Sequence, residues 1–300
     1  DVYKRQIYTP LRYPGGKGKL APFIKNIFRH NMLCDGIYIE PYAGGSAVAL
    51  TLLLEGFAWN VIINDIDKRV YAFWWSILNE TDGLLRMIYN SDVNIKIWEK
   101  QKLIHQDIEN HSLLEIGFAT FFLNRTNRSG ILQAGVIGGK DQSGPYKINA
   151  RYNKKELCNR IELIAQYKNR IQLYNNDAIK FIHTISETLP EKSLIYLDPP
   201  YFNKGKTLYK NSYNEDDHKL VAKAVRSIKT PWIVTYDNVR EIRELYSEEN
   251  QVEFNISYSA NKERHRGSEI MFYSKNIILP SMPYTRRSDY NNFTYSTFNL

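Results

Sequence analysis

The sequence Asp198-Pro199-Pro200-Tyr201 places an acid, two prolines and an aromatic ring directly after an apolar run of strand type. The prolines end the strand, and the first of them restricts Asp198 to an extended backbone, so the carboxylate lies at the carboxyl end of the strand. Because the two prolines supply no N–H group, their carbonyls are acceptors without competing donors. A carboxylate, a carbonyl and a flat ring can bind a planar group that carries NH2, although Asp-Pro is also common in ordinary turns.

A strand, a glycine-containing turn and a helix follow one another between residues 36 and 54. This order opens a nucleotide-binding βαβ unit, in which the helix N–H groups point at the ligand. A dinucleotide site would need Gly-x-Gly-x-x-Gly, whereas this turn contains Ala-Gly-Gly-Ser, so the pattern favours a nucleoside without a pyrophosphate. The candidate cofactor-binding residues here are Glu40, Pro41, Tyr42, Ala43, Gly44, Gly45 and Ser46.

Three acids, Asp65, Asp177 and Asp198, each follow a run of strand type in one predicted parallel sheet. Ligands of such sheets bind outside the carboxyl ends of the strands. Asp65 follows Gly45 by about 20 residues, the spacing at which these folds place an acid on ribose hydroxyl groups. The three acids can therefore bind a ribose, accept from an adenine amino group and bind the group to be modified.

An N-terminal stretch from Tyr13 to Lys17 contains a glycine pair followed by a lysine. Gly15 and Gly16 allow the backbone to approach a ligand closely, and Lys17 brings a positive charge to it. The full spacing of a phosphate loop is missing, and an ordinary tight turn would give the same pattern.

The alternation of strands and helices stops between residues 70 and 165. Within this segment residues 116–123 form an aromatic-rich apolar run, and residues 145–148 are predicted as a short hairpin arm. The sequence predicts helices at residues 70–85, 95–115 and 153–168. We interpret the whole segment as an insertion with its own function.

The chain is basic, with a formal net charge of +8 and a pI of about 9.2. Residues 125–160 contain eight lysines and arginines but only two acids, Asp141 and Glu156. This excess of positive charge favours a surface that binds a polyanion over an ordinary charged surface that only faces water. Arginine suits guanine edges or phosphate and asparagine suits adenine, so we expect the loop after residue 123 to enter a DNA groove while later cations grip phosphates. The candidate DNA-binding residues are Asn124, Arg125, Asn127, Arg128, Lys147, Arg151, Lys154 and Lys155.

Other classes of protein are disfavoured by what the sequence lacks. No apolar run approaches the roughly 20 residues that cross a bilayer. The two cysteines, Cys34 and Cys158, and the six histidines show no metal-ligand spacing. The N-terminus has neither an initiating methionine nor a hydrophobic signal core, and residues 1–8 are given no structural weight. We therefore expect a cytoplasmic protein without a membrane or metal partner.

The C-terminal third contains two further features. Residues 202–214 combine a glycine with lysines and tyrosines, which suits a mobile flap over a ligand or, equally, a disordered connector. Residues 252–259 and 268–274 are predicted as a terminal hairpin around a basic turn at 262–267. The tail at 281–300 has no periodicity.

Five motifs, in this order, resemble those of Dam-type (D12 class) DNA adenine N6-methyltransferases. They are Arg12-Tyr13-Pro14-Gly15-Gly16-Lys17, Glu40-Pro41-Tyr42-Ala43-Gly44-Gly45-Ser46, Asn64-Asp65-Ile66-Asp67, Leu123-Asn124-Arg125 and Asp198-Pro199-Pro200-Tyr201. The resemblance covers about residues 11–275 and implies S-adenosylmethionine as the cofactor. It places Tyr13 and Lys17 in the cofactor pocket and Asp65 on the ribose. It also places Asp177 near the cofactor adenine, with Asp198 touching both cofactor and target base. The segment after Arg125 departs from the best-known members, so their recognition sequence is not carried over.

The predicted fold class is α/β: a Rossmann-like class I methyltransferase sheet, mostly parallel with a C-terminal antiparallel hairpin, plus an inserted mainly helical DNA-recognition domain. The S-adenosylmethionine-binding catalytic domain is predicted at residues 9–69 and 166–280. The target-recognition insertion is predicted at 70–165, followed by the tail at 281–300.

The implied reaction is direct methyl transfer to N6 of a flipped adenine at a specific site in double-stranded DNA. Asp198 and the Pro199 carbonyl would each accept an N6–H bond, and Tyr201 would stack on the base. Two alternatives stay open: a DNA cytosine N4-methyltransferase, which usually has serine in place of the acid, and a catalytically inactive DNA-binding module. We expect a monomer, with a cognate restriction endonuclease as a candidate partner.

Overall fold

The structure is a computed structural model that describes residues 6–13, 15–202, 213–257, 266–280 and 295–296. Three of the sequence-based expectations fall outside these ranges in whole or in large part. They are the flap at 202–214, the basic turn at 262–267 and the tail at 281–300.

The described residues form ten α-helices and eight β-strands. The helices are α1 (Ala21–His30), α2 (Ala47–Leu54), α3 (Lys68–Asn79), α4 (Thr81–Asn90), α5 (Ile95–Gln106), α6 (Leu113–Thr126), α7 (Lys154–Gln166), α8 (Ala178–Ser186), α9 (Glu215–Arg226) and α10 (Arg240–Leu245). The strands are β1 (Gly36–Glu40), β2 (Ala58–Asn64), β3 (Ile171–Tyr174), β4 (Ser193–Leu197), β5 (Trp232–Asp237), β6 (Asn250–Ser257), β7 (Arg266–Tyr273) and β8 (Tyr295–Ser296).

The strands belong to one sheet with the order β3-β2-β1-β4-β5-β7-β6-β8. Strand β4 is parallel to both β1 and β5. Strand β7 is antiparallel to β5 and β6, and β8 is antiparallel to β6. This topology confirms the predicted Rossmann-like α/β class with a C-terminal antiparallel hairpin.

Strands β4 and β5 are buried along their whole length. Strands buried on both faces have nearly continuous apolar sequences, and Ser-Leu-Ile-Tyr-Leu and Trp-Ile-Val-Thr-Tyr-Asp follow this rule. A buried polar side chain in such a strand is costly unless it is hydrogen-bonded. The polar groups of Tyr196, Thr235 and Asp237 therefore need partners, and these partners define part of the site described below.

The segment between β2 and β3 contains helices α3 to α7, and nearly all of α6 is buried. A Cβ on Gly117 would lie 2.6 Å from the Ala72 carbonyl oxygen and 2.3 Å from the Ser76 hydroxyl, so only glycine lets α6 approach α3 this closely. The rings of Phe73 and Phe121 stack across the two helices with centroids 6.0 Å apart. Close helix packing around aromatic side chains forms the core of this segment.

Three predicted elements of this segment differ from the structure. The helix expected at 70–85 is two helices, because the backbone leaves the helical conformation at Glu80 (φ −130°, ψ 42°). The helix expected at 95–115 ends at Gln106, and a capping box between Ser112 and Glu115 starts α6 anew. The hairpin arm expected at 145–148 is absent, because Ile148–Arg151 is a 3-10 helix.

The chain divides into two compact units. The first comprises residues 1–18, 43–51 and 62–176, and the second residues 19–42, 52–61 and 177–300. Helices α3 and α6, in the predicted insertion, contact segments that the sequence analysis assigned to the catalytic domain. Trp74 donates to the Gly44 carbonyl at 2.9 Å, and the Asn124 side-chain oxygen accepts from the Arg12 N–H at 2.7 Å.

Candidate active site

In the first unit, Asp65 fixes the glycine turn that precedes α2. One carboxylate oxygen accepts the Gly44 N–H at 2.9 Å, and the other accepts the Asp67 N–H at 2.9 Å. Trp74 donates to the Gly44 carbonyl, also at 2.9 Å. Since Gly44 has a φ of +46°, the turn uses a backbone conformation that favours glycine. The predicted glycine turn and the predicted ribose acid are therefore in direct contact.

Tyr13 lies against the same turn. A Cβ on Gly44 would approach the Tyr13 ring to 2.7 Å, and one on Gly45 would approach the Tyr13 Cβ to 2.9 Å. Nearby in sequence, the buried Lys17 ammonium donates to the Gly15 carbonyl at 3.0 Å. The structure thus brings Tyr13 of the N-terminal motif against the glycine turn after β1. The sequence analysis had identified these two motifs separately.

Burial of Asp65 raises its pKa from 3.8 to about 6, although the hydrogen bonds from Asp67 and Gly44 act in the opposite direction. Asp65 as a whole residue is only 9% exposed. A buried carboxylate with two oxygens already fixed by backbone donors is rigid, and each oxygen retains a second lone pair. This group can accept ligand hydroxyls without reorganising.

Asparagine side chains to which the sequence analysis assigned no role hold the ends of β2 and β3 together. Asn64 bonds with both its amide atoms to the Asn176 backbone, accepting from N–H at 2.9 Å and donating to the carbonyl at 3.0 Å. Asn175 donates to the Asp65 carbonyl at 2.7 Å. These bonds set the backbone position of Asp65. The run Asn175-Asn176-Asp177 after a strand was the signal for them.

In the second unit, Asp177 caps α8, because one carboxylate oxygen accepts from the N–H groups of Ile179 and Lys180, both at 3.1 Å. Glu40, at the end of β1, is buried. The Tyr42 hydroxyl lies 3.2 Å from the Tyr213 hydroxyl. Burial, followed by the Tyr213 hydroxyl, raises the pKa of Tyr42, so this phenol stays neutral.

Asp198, also in the second unit, receives a hydrogen bond from the Thr235 hydroxyl at 3.0 Å. The Thr235 oxygen in turn lies 2.9 Å from the Tyr196 hydroxyl. Threonine has one hydroxyl proton, and that proton goes to the carboxylate, so Tyr196 is the donor to Thr235. Thr235 is fully buried and Tyr196 is 3% exposed, whereas Asp198 is half-buried. The carboxylate is therefore anchored from the core.

The alignment of β4 and β5 produces this arrangement. Leu197 pairs with Val234, so the following residues, Asp198 and Thr235, come side by side. Asp237, two residues further along β5, accepts the Phe202 N–H at 2.9 Å and fixes the chain that leaves the proline motif. The sequence analysis did not identify Thr235 or Asp237. The signal for both was a hydroxyl and a carboxyl at alternate positions in an otherwise apolar strand.

Two of the candidate DNA-binding residues are buried amides whose hydrogen bonds stay within the first unit. Asn124 accepts from the Arg12 N–H and donates to the carbonyls of Arg12 and Gly130 at 3.1 and 2.9 Å. Asn127 accepts from the Trp98 ring N–H at 2.7 Å and donates to two carbonyls of the following loop. Both residues are 1% exposed. Their role in this structure is to shape the loop from inside.

The charged candidates differ in accessibility. Arg125 is buried, while Arg128, Lys147, Arg151 and Lys155 are exposed. Lys147 donates to the carbonyls of Gln142 and Gly144, which closes the glycine-rich loop. Lys154 donates to the Tyr89 carbonyl at 2.8 Å. The exposed arginines and Lys155 are the groups that can reach a polyanion.

A sheet of this topology, with a glycine turn after β1 and acids after three of its strands, is a Rossmann-like nucleotide-binding fold. Residues 13–263 match the family described as D12 class N6 adenine-specific DNA methyltransferase, and the chain belongs to that family. The chain is 27% identical over 236 residues to the type II methyltransferase M.MjaIII of Methanocaldococcus jannaschii, covering 73% of this chain and 79% of that protein.

Similar solved structures include a putative RNA methyltransferase from Pyrococcus horikoshii, with a TM-score of 0.42, 11% identity and coverage of 93% of this chain and 90% of that one. A SAM-dependent methyltransferase from Agrobacterium tumefaciens has a TM-score of 0.41 and 11% identity, covering 86% of this chain and 62% of that one. By its family, this chain is an S-adenosylmethionine-dependent DNA adenine methyltransferase.

The first unit fits this cofactor. Gly44 and Gly45 leave the turn without side chains, and the rigid Asp65 carboxylate beside them is an acceptor for hydroxyl groups. When bound, S-adenosylmethionine supplies an electrophilic methyl group on a positively charged sulfur. Across the described ranges, no cluster of three or more His, Cys, Asp or Glu is placed to bind a metal ion. In the same ranges, no helix has the length and apolar character needed to span a bilayer.

Proposed function

We propose that this protein methylates N6 of one adenine within a specific sequence of double-stranded DNA, with Asp198 and Pro199 binding the amino group. The observation that supports this most is the hydrogen bond from Thr235 to Asp198, which anchors the carboxylate at the end of β4. The carbonyl acceptors of a Pro-Pro pair follow it directly. An amino group with two N–H donors matches this pair of acceptors.

The chemistry explains why such acceptors are needed. The N6 lone pair of adenine is delocalised into the ring and is a poor nucleophile. Asp198 and the Pro199 carbonyl each accept a hydrogen bond from one N6–H group. These two hydrogen bonds favour a pyramidal nitrogen with an available lone pair. The contribution of the protein is positioning and electrostatics, and no covalent intermediate with a side chain is required.

The target base must first leave the duplex, which costs a few kcal/mol of stacking and pairing. Tyr201, half-buried next to the Pro-Pro pair, is the ring on which the base would stack. Pro199 and Pro200 restrict the backbone on either side of the acceptor carbonyl, so the geometry is set before the base arrives.

For the cofactor we assign the ribose hydroxyls to Asp65, whose two oxygens are fixed by Gly44 and Asp67. Asp177 is assigned to the adenine amino group through the carboxylate oxygen that does not cap α8. Tyr13 and Lys17 are assigned to the pocket wall. The remaining assigned wall residues are Gly15, Gly16, Glu40, Pro41, Tyr42, Ala43, Gly44, Gly45 and Ser46.

The biological setting is also a proposal. M.MjaIII is a type II methyltransferase, and we extend this to a modification role for the present chain beside a cognate restriction endonuclease. We propose a monomer that acts in the cytoplasm, where its DNA substrate would be found. The two free thiols, Cys34 and Cys158, agree with that compartment.

The test is incubation with methyl-labelled S-adenosylmethionine and mixed DNA, followed by mass spectrometry of the nucleosides. We expect N6-methyladenine from the parent and none from Asp198→Ala, whose circular dichroism should match the parent because the carboxylate lies at a strand end. Asp216→Ala, which removes an exposed acid from α9, is the control and should keep full activity. Labelled N4-methylcytosine would favour the cytosine alternative instead, and active Asp198→Ala would remove the acid from the mechanism.

A further inference from the structure

His218, on α9, is a fully buried histidine that the proposed reaction does not use. Its imidazole lies among aromatic rings from other segments of the second unit. The ring centroids are 5.3 Å from Phe202, 5.6 Å from Tyr213 and 5.5 Å from Tyr236. The two tyrosines meet the imidazole edge-on and Phe202 is tilted against it, arrangements that aromatic pairs prefer to a face-to-face sandwich. A single side chain therefore contacts three segments of the second unit.

The core of the second unit sets the orientation of the imidazole. Nδ1 of His218 lies 3.3 Å from the Tyr236 hydroxyl, and Tyr236 belongs to the fully buried strand β5. Burial raises the pKa of Tyr236, so the phenol keeps its proton. The Tyr236 ring in turn packs against Tyr246, with centroids 6.0 Å apart. His218 is thus held from the core side by a group that does not move with the substrate.

Phe202 connects His218 to the candidate active site. It directly follows Tyr201, the ring on which the target base would stack. The Phe202 N–H donates to Asp237 at 2.9 Å, and the Phe202 ring packs on His218. The residue is therefore fixed at both its backbone and its side chain. Since one planar peptide joins Phe202 to Tyr201, a shift of Phe202 would also displace the tyrosine.

Tyr213 is the second aromatic residue that His218 supports. In the sequence it comes after residues 203–212, and Phe202 comes before them. Its hydroxyl lies 3.2 Å from the Tyr42 hydroxyl, and its ring packs edge-on against the Tyr42 ring with centroids 6.3 Å apart. A capping box between Asn214 and Asp217 begins α9 directly after Tyr213. The imidazole therefore lies between two residues that are each fixed from a second direction.

We propose that His218 is a positioning residue for methyl transfer. By packing between Phe202 and Tyr213, its ring holds the Asp198–Tyr201 motif in the geometry that receives the target base. This inference rests on the proposed function, because the base in question is the adenine assigned there. His218 acts on the base only through Phe202 and Tyr201. The ring supplies this support, and the bond from Nδ1 to Tyr236 serves to orient the ring.

Substitutions at residue 218 separate the ring from its polar atom. His218→Ala removes both, and its single-turnover methylation rate should fall about 10–100-fold, because small displacements at a reacting centre cost this much. The affinity for S-adenosylmethionine, measured by calorimetry, should stay that of the parent. His218→Phe restores a ring without Nδ1 and should recover most of the rate, whereas His218→Asn restores a polar atom without the ring and should not. His183→Ala, at an exposed histidine of α8, is the matched control and should keep the parent rate.

The outcomes that would overturn the proposal are distinct. His218→Ala at the parent rate would do so. Recovery by asparagine but not by phenylalanine would show that the bond to Tyr236 matters and the ring does not. A loss that neither substitution recovers, with an equal loss of cofactor affinity, would show a purely structural role.

Phe202→Leu decides if His218→Ala does not fold, because Phe202 is half-buried and meets the imidazole from the opposite side. It should lower the rate to a similar extent at unchanged cofactor affinity, and the parent rate would overturn the proposal. Where both variants fold, the double variant should be no slower than the slower single one, since both remove the same contact. Losses that multiply would contradict this. A parent that methylates N4 of cytosine would refute the proposed function, while a loss in His218→Ala with recovery by phenylalanine would still support the role of His218.

Discussion

The Thr235 hydroxyl donates a hydrogen bond of 3.0 Å to the carboxylate of Asp198, and the two residues sit side by side on neighbouring parallel strands. Tyr196 donates to Thr235 in turn, at 2.9 Å. One carboxylate oxygen is therefore held from the core side. Thr235 is a positioning residue, because it acts on the base only through Asp198.

Replacement of Thr235 by valine, which has the same shape, should lower kcat and leave the KM for S-adenosylmethionine unchanged. A hydrogen bond to a charged group contributes about 1.5–3 kcal/mol, which corresponds to roughly 10–100-fold in rate if the loss falls on the transition state. Thr235→Ser keeps the hydroxyl and should recover most of the rate. Single-turnover methylation separates the chemical step from product release. Equal rates for the valine and serine variants would contradict the positioning role.

Cofactor affinity should depend on pH through Asp65, whose pKa is raised to about 6. Ribose hydroxyls donate to the ionised carboxylate, so affinity should be constant above pH 7 and fall below pH 6, by up to about tenfold per pH unit. The contribution of Asp65 to the stability of the fold changes with pH in the opposite direction to its effect on cofactor affinity. The folded state binds the Asp65 proton more tightly than the unfolded chain, so the contribution of this group to stability is lost as pH rises from about 4 to 6.

Calorimetric titration with S-adenosylmethionine between pH 5 and 8 measures this dependence. Asp65→Ala should bind the cofactor more weakly by about 2–4 kcal/mol and without a step near pH 6. Since Asp65 also holds Gly44 and Asp67, this variant should melt below the parent. A parent affinity that does not change between pH 5 and 7 would remove Asp65 from the ribose site.

Gly44→Ala should damage the cofactor site through two separable effects. The φ of +46° strains any other residue by about 1 kcal/mol, and the new methyl would lie 2.7 Å from the Tyr13 ring. Gly56 is a matched control, because its φ is +72° but no atom lies within 4 Å of an added Cβ. Gly56→Ala should lose stability only through strain and bind the cofactor normally. Cofactor affinities measured for both variants isolate the contact with Tyr13.

The exposed Arg128 should determine which DNA sites are methylated. Arginine reads guanine by bidentate bonds that contribute about 1–3 kcal/mol of discrimination, so Arg128→Gln should relax the recognised sequence. Lys155→Gln should instead weaken binding to all sequences alike and reduce its salt dependence. Methylome sequencing of cells expressing each variant gives the two outcomes directly. An unchanged recognition motif with Arg128→Gln would assign base recognition to another part of the protein.

The parts of the site that the sequence predicted are those set by local chain chemistry. The proline after Asp198 and the glycine turn before α2 each show from the local sequence where a strand ends. The order of strands and helices along the chain then predicts the parallel sheet. The role of Thr235 could not be predicted in this way, because it depends on how β4 aligns with β5. For Asn127, the residue type alone suggested a contact with DNA, because an asparagine side chain can form two hydrogen bonds to adenine. In the structure this side chain is buried, and its amide bonds to Trp98 and the loop carbonyls.

Asn124 connects two segments with different tasks. Its side chain binds Arg12, whose neighbour Tyr13 lies on the glycine turn, and it also binds Gly130 in the loop that contains Arg128, which we expect to contact DNA. Ordering either segment by a ligand would spare part of the entropy cost of ordering the other, which is positive cooperativity between cofactor and DNA. Linkage makes such cooperativity reciprocal: the factor by which DNA tightens cofactor binding equals the factor by which the cofactor tightens DNA binding. In Asn124→Ala we expect both factors, measured by titrating each ligand with the other present and absent, to fall together toward one.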